Sequence, residues 1–417
     1  CIRDRMKNRL LAVAAIFALS ISCSHAADKA LVDVARPDVA AFIDEMVADH
    51  DFNRDALAEV LGKAEIKQSI IKKISTPAEK KLTWAEYRKI FITKERIAAG
   101  TTFWLENRAM LERIHKETGV AVEMIVGIIG VETYYGRITG KDRVIDALAT
   151  LAFDYPPRQK FFRNELKQFL ILAREEEIDA TTPVGSYAGA MGRPQFMPSS
   201  FRAYAVDATG DGKRDIWNNW ADVAGSVANY FIEHGWRSDE AVTSQATLSS
   251  RWDGPVPQPK NTLKASSTIE SLSKRGVVFA TDLCADSKGE LLTYEGNDGI
   301  EHWVGFHNFF VITRYNRSVM YALAAHQLGQ EIARKVAADA AALEPDGWRM
   351  SFLRGRLAAY DEEWESAVGH SRKSVALHPE QAGGHFLLGL ALAVQGRLVE
   401  GRDALRACLR YHPGPEM

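Results

Sequence analysis

Apolar residues recur at helical spacing through the first half of the chain. Val39, Phe42, Ile43 and Met46 fall at i, i+3, i+4 and i+7, the stripe that an amphipathic helix turns toward a core. Trp84, Tyr87 and Phe91 repeat the pattern, as do Phe162, Leu166, Phe169 and Leu170. From Pro37 to about Gly235 this predicts an all-α block, with loops at Asp154-Tyr155-Pro156-Pro157 and along the Gly-rich run Gly185 to Pro198. Between 240 and 315 the pattern shortens. Val277-Val278-Phe279 and Leu291-Leu292-Thr293-Tyr294 lean toward strand, and Gly296-Asn297-Asp298-Gly299 reads as a turn. Trp303-Val304-Gly305-Phe306 and the run Phe309 to Ile312 follow. A small antiparallel β subdomain is expected there, after which a helix around Ser318 to Gly329 returns the chain to the α block.

The two ends have patterns of their own. Phe352-Leu353-Arg354-Gly355 and Phe386-Leu387-Leu388-Gly389 stand 34 residues apart, and His378-Pro379 and His412-Pro413 share the offset. That period resembles tetratricopeptide repeats over 340–417 and predicts a helical tail that docks a protein partner or the preceding domain. A plain helical hairpin carries the same pattern. At the start, Lys7 to Arg9 are basic and Leu10 to Ile21 form an apolar run. Ser24-His25-Ala26 then offers small residues at a cleavage site, so residues 1–26 read as a secretory signal. The run is shorter than the ~20 residues needed to span a bilayer. Cys23, preceded by Ser22, offers lipid attachment as the alternative to simple cleavage.

Composition narrows the function classes. A chain of 417 residues with 46% hydrophobic and 25% charged residues is globular, with room for several domains. The formal charge of −2 falls to −5 without the leader, so no basic field exists for nucleic acid. The cysteines lack the CxxC spacing of a zinc site. Beyond the leader only Cys284 and Cys408 remain, an optional pair.

Chemistry concentrates in two stretches. Val122 to Gly136 reads as a helix apolar nearly all round and therefore buried, with Glu132 at its end. Burial and the negative end of the helix dipole both favour a protonated carboxyl, which a general acid needs near neutral pH. A helix-end glutamate paired with Arg137 or Lys141 is the bland alternative. The second stretch is Gly185-Ser-Tyr-Ala-Gly-Ala-Met-Gly192 followed by Gln195-Phe-Met-Pro-Ser-Ser200. It mixes small residues, hydrogen-bonding groups and apolar surface, which suits a sugar or a tight helix–helix connection.

Gly130-Val-Glu-Thr133 and these two loop motifs, with Ser226-Val-Ala-Asn-Tyr230 and Ile312-Thr-Arg-Tyr-Asn316, closely resemble the membrane-bound lytic murein transglycosylase B family over about 35–335, in order and spacing. The resemblance implies a mainly α protein: a lysozyme-like α catalytic domain with the small β subdomain, ahead of the α-α repeat tail. It implies cleavage of the MurNAc–GlcNAc bond of peptidoglycan without water, in the periplasm, by a soluble or outer-membrane-anchored enzyme that requires no cofactor. Glu132 matches the single catalytic acid/base, and no second acid lies within the five motifs, where an ordinary glycosidase needs two. Ser186, Gln195, Tyr230, Tyr315 and Asn316 match cleft positions, Arg158 matches a carboxylate-binding position, and Tyr87 is a further cleft candidate. For the tyrosines core packing is the competing role. Arg193-Pro194 departs from the family's smaller or polar residues. A lysozyme-type hydrolase and a non-catalytic peptidoglycan-binding scaffold remain rival readings.

Asp207, Thr209 and Asp211, with Gly212 at position six, resemble an EF-hand loop, and Asp222 is the candidate for its closing acid. Asp222 also reads as the N-cap of a helix from Val223 to Ile232. Any calcium is expected to bind weakly there, since Lys213 and Asn218 occupy other ligand positions.

Overall fold

The computed structural model describes residues 30–75, 82–255, 257–343 and 348–411, with the side chains of 340–343 and 348–350 left aside. The leader and its Cys23 lie outside the described residues. Helices dominate, with sequence-local reasons for their starts. Thr83 opens the helix Trp84–Phe91 in a reciprocal capping box with Glu86, and Asn53 caps Arg54–Gly62. Asn219, not Asp222, caps the helix Trp220–Glu233, accepting from the amides of Ala221 and Asp222. The helix begins three residues earlier than the apolar pattern predicts because Trp220 and Ala221 complete its first turn.

At the centre lies the helix Val122–Thr133, where every residue except Glu123 and Glu132 is buried. Burying Ile125, Ile128 and Ile129 fully contributes about 2 kcal/mol each. This helix crosses the long helix Val319–Leu343 in near backbone contact. A Cβ on Gly127 would collide with the Ala325 carbonyl, and one on Gly329 with the Glu123 carbonyl. The long helix starts where the sequence places it and runs well past Gly329, because Leu328, Ile332 and Ala337 continue its buried stripe.

The β subdomain is a five-stranded sheet, ordered Ser267–Thr268, Lys288–Gly296, Gly299–Gly305, Thr243–Leu248 and Val277–Phe279, with every pair antiparallel. Gly296 pairs with Gly299 across the Asn297-Asp298 turn. The run Phe309 to Ile312 corrects the sequence reading: it belongs to a helix, His307–Tyr315, rather than to the sheet. Asn308, Phe309, Val311, Ile312 and Thr313 are all buried, so the segment is apolar on several helical faces and its short run imitates a strand.

Two helical hairpins close the chain, Trp348–Tyr360 with Trp364–Leu377 and Ala382–Val394 with Leu398–Tyr411. Gly355 and Gly389, one period apart, sit at matching close approaches, the first against Ser371 and the second against Leu405 and Gly401. Arg334 of the long helix fastens the tail, pairing with Asp361 at 3.2 Å and covering the Tyr360 ring. This geometry is common to tetratricopeptide repeats and plain α-hairpins. Cys284 and Cys408 are both free thiols.

Candidate active site

Glu132 is half-buried in the last turn of Val122–Thr133. The next three residues, Tyr134, Tyr135 and Gly136, all adopt left-handed backbone with φ of 51°, 58° and 79°. For the two tyrosines this costs roughly 1–2 kcal/mol each, and side-chain packing sustains it. The Tyr134 ring lies under the guanidinium groups of Arg96 at 4.6 Å and Arg137 at 4.8 Å. The Tyr135 hydroxyl wedges against Gly100 and Gly130, where any Cβ would strike it. Arg137, the partner proposed for Glu132 in the bland alternative, is thus engaged with Tyr134.

Arg96 changes the electrostatics expected from the sequence. Its Nη1 donates to the Gly130 carbonyl at 2.8 Å, so a cation meets the negative end of the helix beside Glu132 and offsets the dipole. Burial lowers the pKa of this half-buried guanidinium. Arg96 thus counters one of the two causes expected to act on Glu132, the helix dipole.

Tyr321, from the first turn of Val319–Leu343, donates a hydrogen bond to Glu132 Oε1 and is 2% exposed. Tyr315 stands nearby, its hydroxyl donating to the Pro194 carbonyl at 2.6 Å. Burial, and then the Glu132 carboxylate, push both phenols well above the usual tyrosine range, so each keeps its proton and acts as a donor. Sequence reasoning missed Tyr321. Its signal was a phenol set among Val319, Ala322, Leu323 and Ala325, since a buried tyrosine normally finds a polar partner.

The Gly-rich loop is tied to this helix end. Thr133, wholly buried, donates to the Arg193 carbonyl at 3.0 Å, and Gln195 Nε2 donates to the carbonyls of Thr139 at 3.2 Å and Gly192 at 2.8 Å. Gln195 is itself left-handed, with φ of 53°. Ser186 Oγ accepts from the amides of Ala188 and Ala190, holding a turn whose glycines are required. Gly140 and Gly185 approach neighbouring backbone too closely for any Cβ. Arg193 anchors the loop rather than disturbing it, since its side chain covers Trp220 at 3.8 Å and donates to the Asn218 carbonyl.

Other sequence candidates are distributed less simply. Tyr230 is 7% exposed, donates to the Arg314 carbonyl, and packs the helix Trp220–Glu233 against Tyr315. Burial raises its pKa to about 12. Tyr87 is also buried, against Trp84 and Phe91, yet it borders a cavity of about 480 Å3 that Asn316 lines as well. Arg158 is exposed and lies over the Phe161 ring at 4.2 Å. Glu165, absent from the sequence candidates, is 2% exposed and accepts from Ser199 N and Oγ at 2.9 and 2.7 Å.

The Asp207–Asp222 loop is held by its own carboxylates. Asp207 accepts from the amides of Thr209, Gly210, Asp211 and Gly212. Asp222 is fully buried and accepts from Ala208 N and Asp215 N, each at 2.9 Å. Among the described residues no three His, Cys, Asp or Glu side chains gather to hold a metal. As placed, Asp207 and Asp222 both accept from the loop's own backbone amides, which a carboxylate can do while also serving as a ligand.

A lysozyme-like helical fold with one acid at the end of a buried helix describes an acid/base enzyme. The signature of the Transglycosylase SLT domain family matches residues 35–330, and the chain belongs to that family. It is similar to the membrane-bound lytic murein transglycosylase B of Escherichia coli, 41% identical over 306 residues that cover 71% of this chain and 83% of the relative. Soluble lytic transglycosylase SltB1 of Pseudomonas aeruginosa superposes with a TM-score of 0.68 at 50% identity, covering 72% of this chain and 99% of SltB1. The Escherichia coli lytic transglycosylase Slt35, solved in complex with calcium, gives 0.67 at 40% identity over 75% of this chain and 98% of its own. The chain is thus an enzyme of the lytic transglycosylase class. No helix among the described residues is long and apolar enough to cross a membrane.

Proposed function

We propose that this enzyme cleaves the MurNAc–GlcNAc bond of peptidoglycan and closes the muramyl residue to its 1,6-anhydro form, with Glu132 as the sole acid/base. The observation that carries this reading is the Glu132 carboxyl, half-buried and held by the Tyr321 hydroxyl within the family-matched region. Glu132 donates its proton to the glycosidic oxygen as the bond from C1 breaks. The C6 hydroxyl of the same sugar attacks C1, and its proton passes to the Glu132 carboxylate, which restores the starting state. No water is consumed and no second carboxylate is needed, in contrast with a two-acid glycosidase. The C2 acetamido group assists by sharing the positive charge that develops at C1.

This sequence of events starts from the protonated carboxyl, as a general acid requires. Tyr321 fixes the direction of that carboxyl, and Arg96 steadies the helix end behind it. Ser186, Gln195 and Asn316 supply polar groups toward the glycan, Tyr315 orders the loop through Pro194, and Arg158 offers a forked donor to a stem carboxylate. Site of action belongs to the same reading: an exported enzyme at the cell wall, held there through its substrate or through a lipid at Cys23, with the helical tail engaging a protein partner. The test is clearance of purified sacculi by wild type and by Glu132→Gln. Loss of clearance in a variant with unchanged circular dichroism supports the role, and full clearance overturns it.

A further inference from the structure

The helical tail covers one of its faces and leaves the matching face open. In the first hairpin the helix Trp364–Leu377 lies under Ala382–Val394 of the second. Val368, 1% exposed, shares a buried cluster with Ala391 and Leu392, and Trp364 and Leu388 pack against that cluster. At one end of this interface a Cβ on Gly384 would meet Val375 and Ser374. At the other, Gln395 donates to Glu365 at 2.7 Å. The two helices therefore run antiparallel, and the covering stripe is Gly384, Leu388, Ala391 and Gln395, at i, i+4, i+7 and i+11. That spacing sets Ala391 opposite Val368.

One period of 34 residues later, Leu398, Arg402, Leu405 and Leu409 of the last helix, Leu398–Tyr411, hold the places of Trp364, Val368, Ser371 and Val375. Leu405 is half-buried against Gly389, while Arg402 is exposed. Leu398 and Leu409 are 68% and 66% exposed, and the adjoining Val399 is 65% exposed. A stack of helical hairpins normally ends on a polar face, and this end is apolar. Its charge is also one-sided. Arg402, Arg406 and Arg410 stand on or beside the stripe with Asp403 as the acid among them, 3.4 Å from Arg402 and 3.9 Å from Arg406. Glu400, on the next turn of the surface, is engaged by Arg372 and Arg397 at 2.7 and 2.8 Å. A chain of net charge −2 thus carries a positive, apolar stripe at this end.

We propose that the outer face of Leu398–Tyr411 docks an amphipathic helix of a partner protein, with its apolar stripe on Leu398, Leu405 and Leu409 and a carboxylate on Arg402. This assignment rests on the reading of the tail as a protein-docking module, and gives that module its surface and its partner's chemistry. A helix is the occupant because a helix covers the same positions one repeat earlier. The acid follows from Arg402 standing where Val368 is buried, since a covered guanidinium needs a counter-charge. A second copy of the chain docking through this face would set three arginines against three, with Asp403 as the reply on each side.

The test titrates the full chain into a labelled, stapled peptide of residues 381–395, the segment that covers the matching face within the tail. The peptide is made in its own sequence, with Ala391→Glu and with Ala391→Lys, and binding is read by fluorescence anisotropy. The Ala391→Glu peptide should bind wild type about 5-fold more tightly than the unchanged peptide. Arg402→Glu in the protein should remove that preference and pass it to the Ala391→Lys peptide. Leu398→Asp/Leu409→Asp, at two exposed positions, should abolish binding while circular dichroism and clearance of sacculi stay at wild-type values. No binding to wild type, or equal affinity for the Glu and Lys peptides, overturns the proposal. Binding that the double variant retains overturns the choice of face but keeps the tail as a docking module. Dimerisation of the chain alone, or co-sedimentation with phosphatidylglycerol vesicles, that the double variant abolishes would give the face to a second copy or a lipid surface. Either result overturns the proposal and the partner reading together.

Discussion

Glu132 and Glu165 are both carboxylates enclosed by helices, and their difference shows what distinguishes a working acid from a structural one. Glu165 is the more deeply buried. Both its oxygens are taken by Ser199, and burial pushes its carboxyl above the usual glutamate range, the bonds from Ser199 opposing the shift. It binds the helix Gln159–Glu175 to the start of Pro198–Tyr204 and so carries the far end of the Gly-rich loop. Glu132 is half-exposed, held at Oε1 by one phenol, and followed by strained backbone that turns the chain away from it. Burial alone perturbs a carboxyl. Burial with access and a fixed direction makes it usable.

The comparison breaks most sharply at Glu132. Glu132→Gln should lower turnover on sacculi by on the order of 10²–10⁴-fold or more with thermal stability unchanged. Tyr321→Phe comes next, with a fall of roughly 10–100-fold in kcat, the worth of a hydrogen bond to a charged group. Its KM should move little, which a role in substrate binding alone would not give.

Glu165→Ala should cost about 1–3 kcal/mol of stability in denaturant unfolding, because it leaves the Ser199 donors without partners. The enzyme that remains folded should keep its turnover. Since the folded pKa of Glu165 is raised, the folded state holds its proton more tightly than the unfolded chain. That contribution is present below the ordinary glutamate value and is lost as pH rises through the raised folded value. Glu165→Gln should flatten this part of the stability profile, and a profile that keeps its slope would show that another group is responsible.

The smallest effect belongs to the Asp207–Asp222 loop. With Lys213 and Asn218 at ligand positions, ~1 mM calcium should raise the melting temperature by no more than about 2 °C, as for a dissociation constant on the order of 10⁻³ M. A larger rise would mean that the loop's carboxylates hold the ion more tightly than this ligand set implies.

Much of this site is legible in the sequence because it is built from contiguous pieces. Glu132 follows a helix whose apolar character is unmistakable, and the Ser186–Gln195 loop advertises its close backbone approaches through its glycines. Tyr321 and Arg96 were harder to find because their roles depend on helix crossings. Tyr321 meets Glu132 only because Gly127 and Gly329 let two helices approach, and Arg96 meets Gly130 across 34 residues of chain. For Tyr230, motif position does not say which way a phenol points, and its hydroxyl donates to the Arg314 carbonyl. Phe309 to Ile312 shows the limit of periodicity, since a helix buried on several sides and a buried strand look alike over four residues.

The most direct test of the account is the mass of the muropeptides released by the wild-type enzyme in water enriched in the heavy oxygen isotope. Closure by the sugar's own C6 hydroxyl, with Glu132 as the sole acid/base, predicts chain ends one water lighter than reducing sugars and free of the heavy isotope. Reducing ends that carry the heavy oxygen would mean that water is the nucleophile, and would contradict the single-carboxylate mechanism.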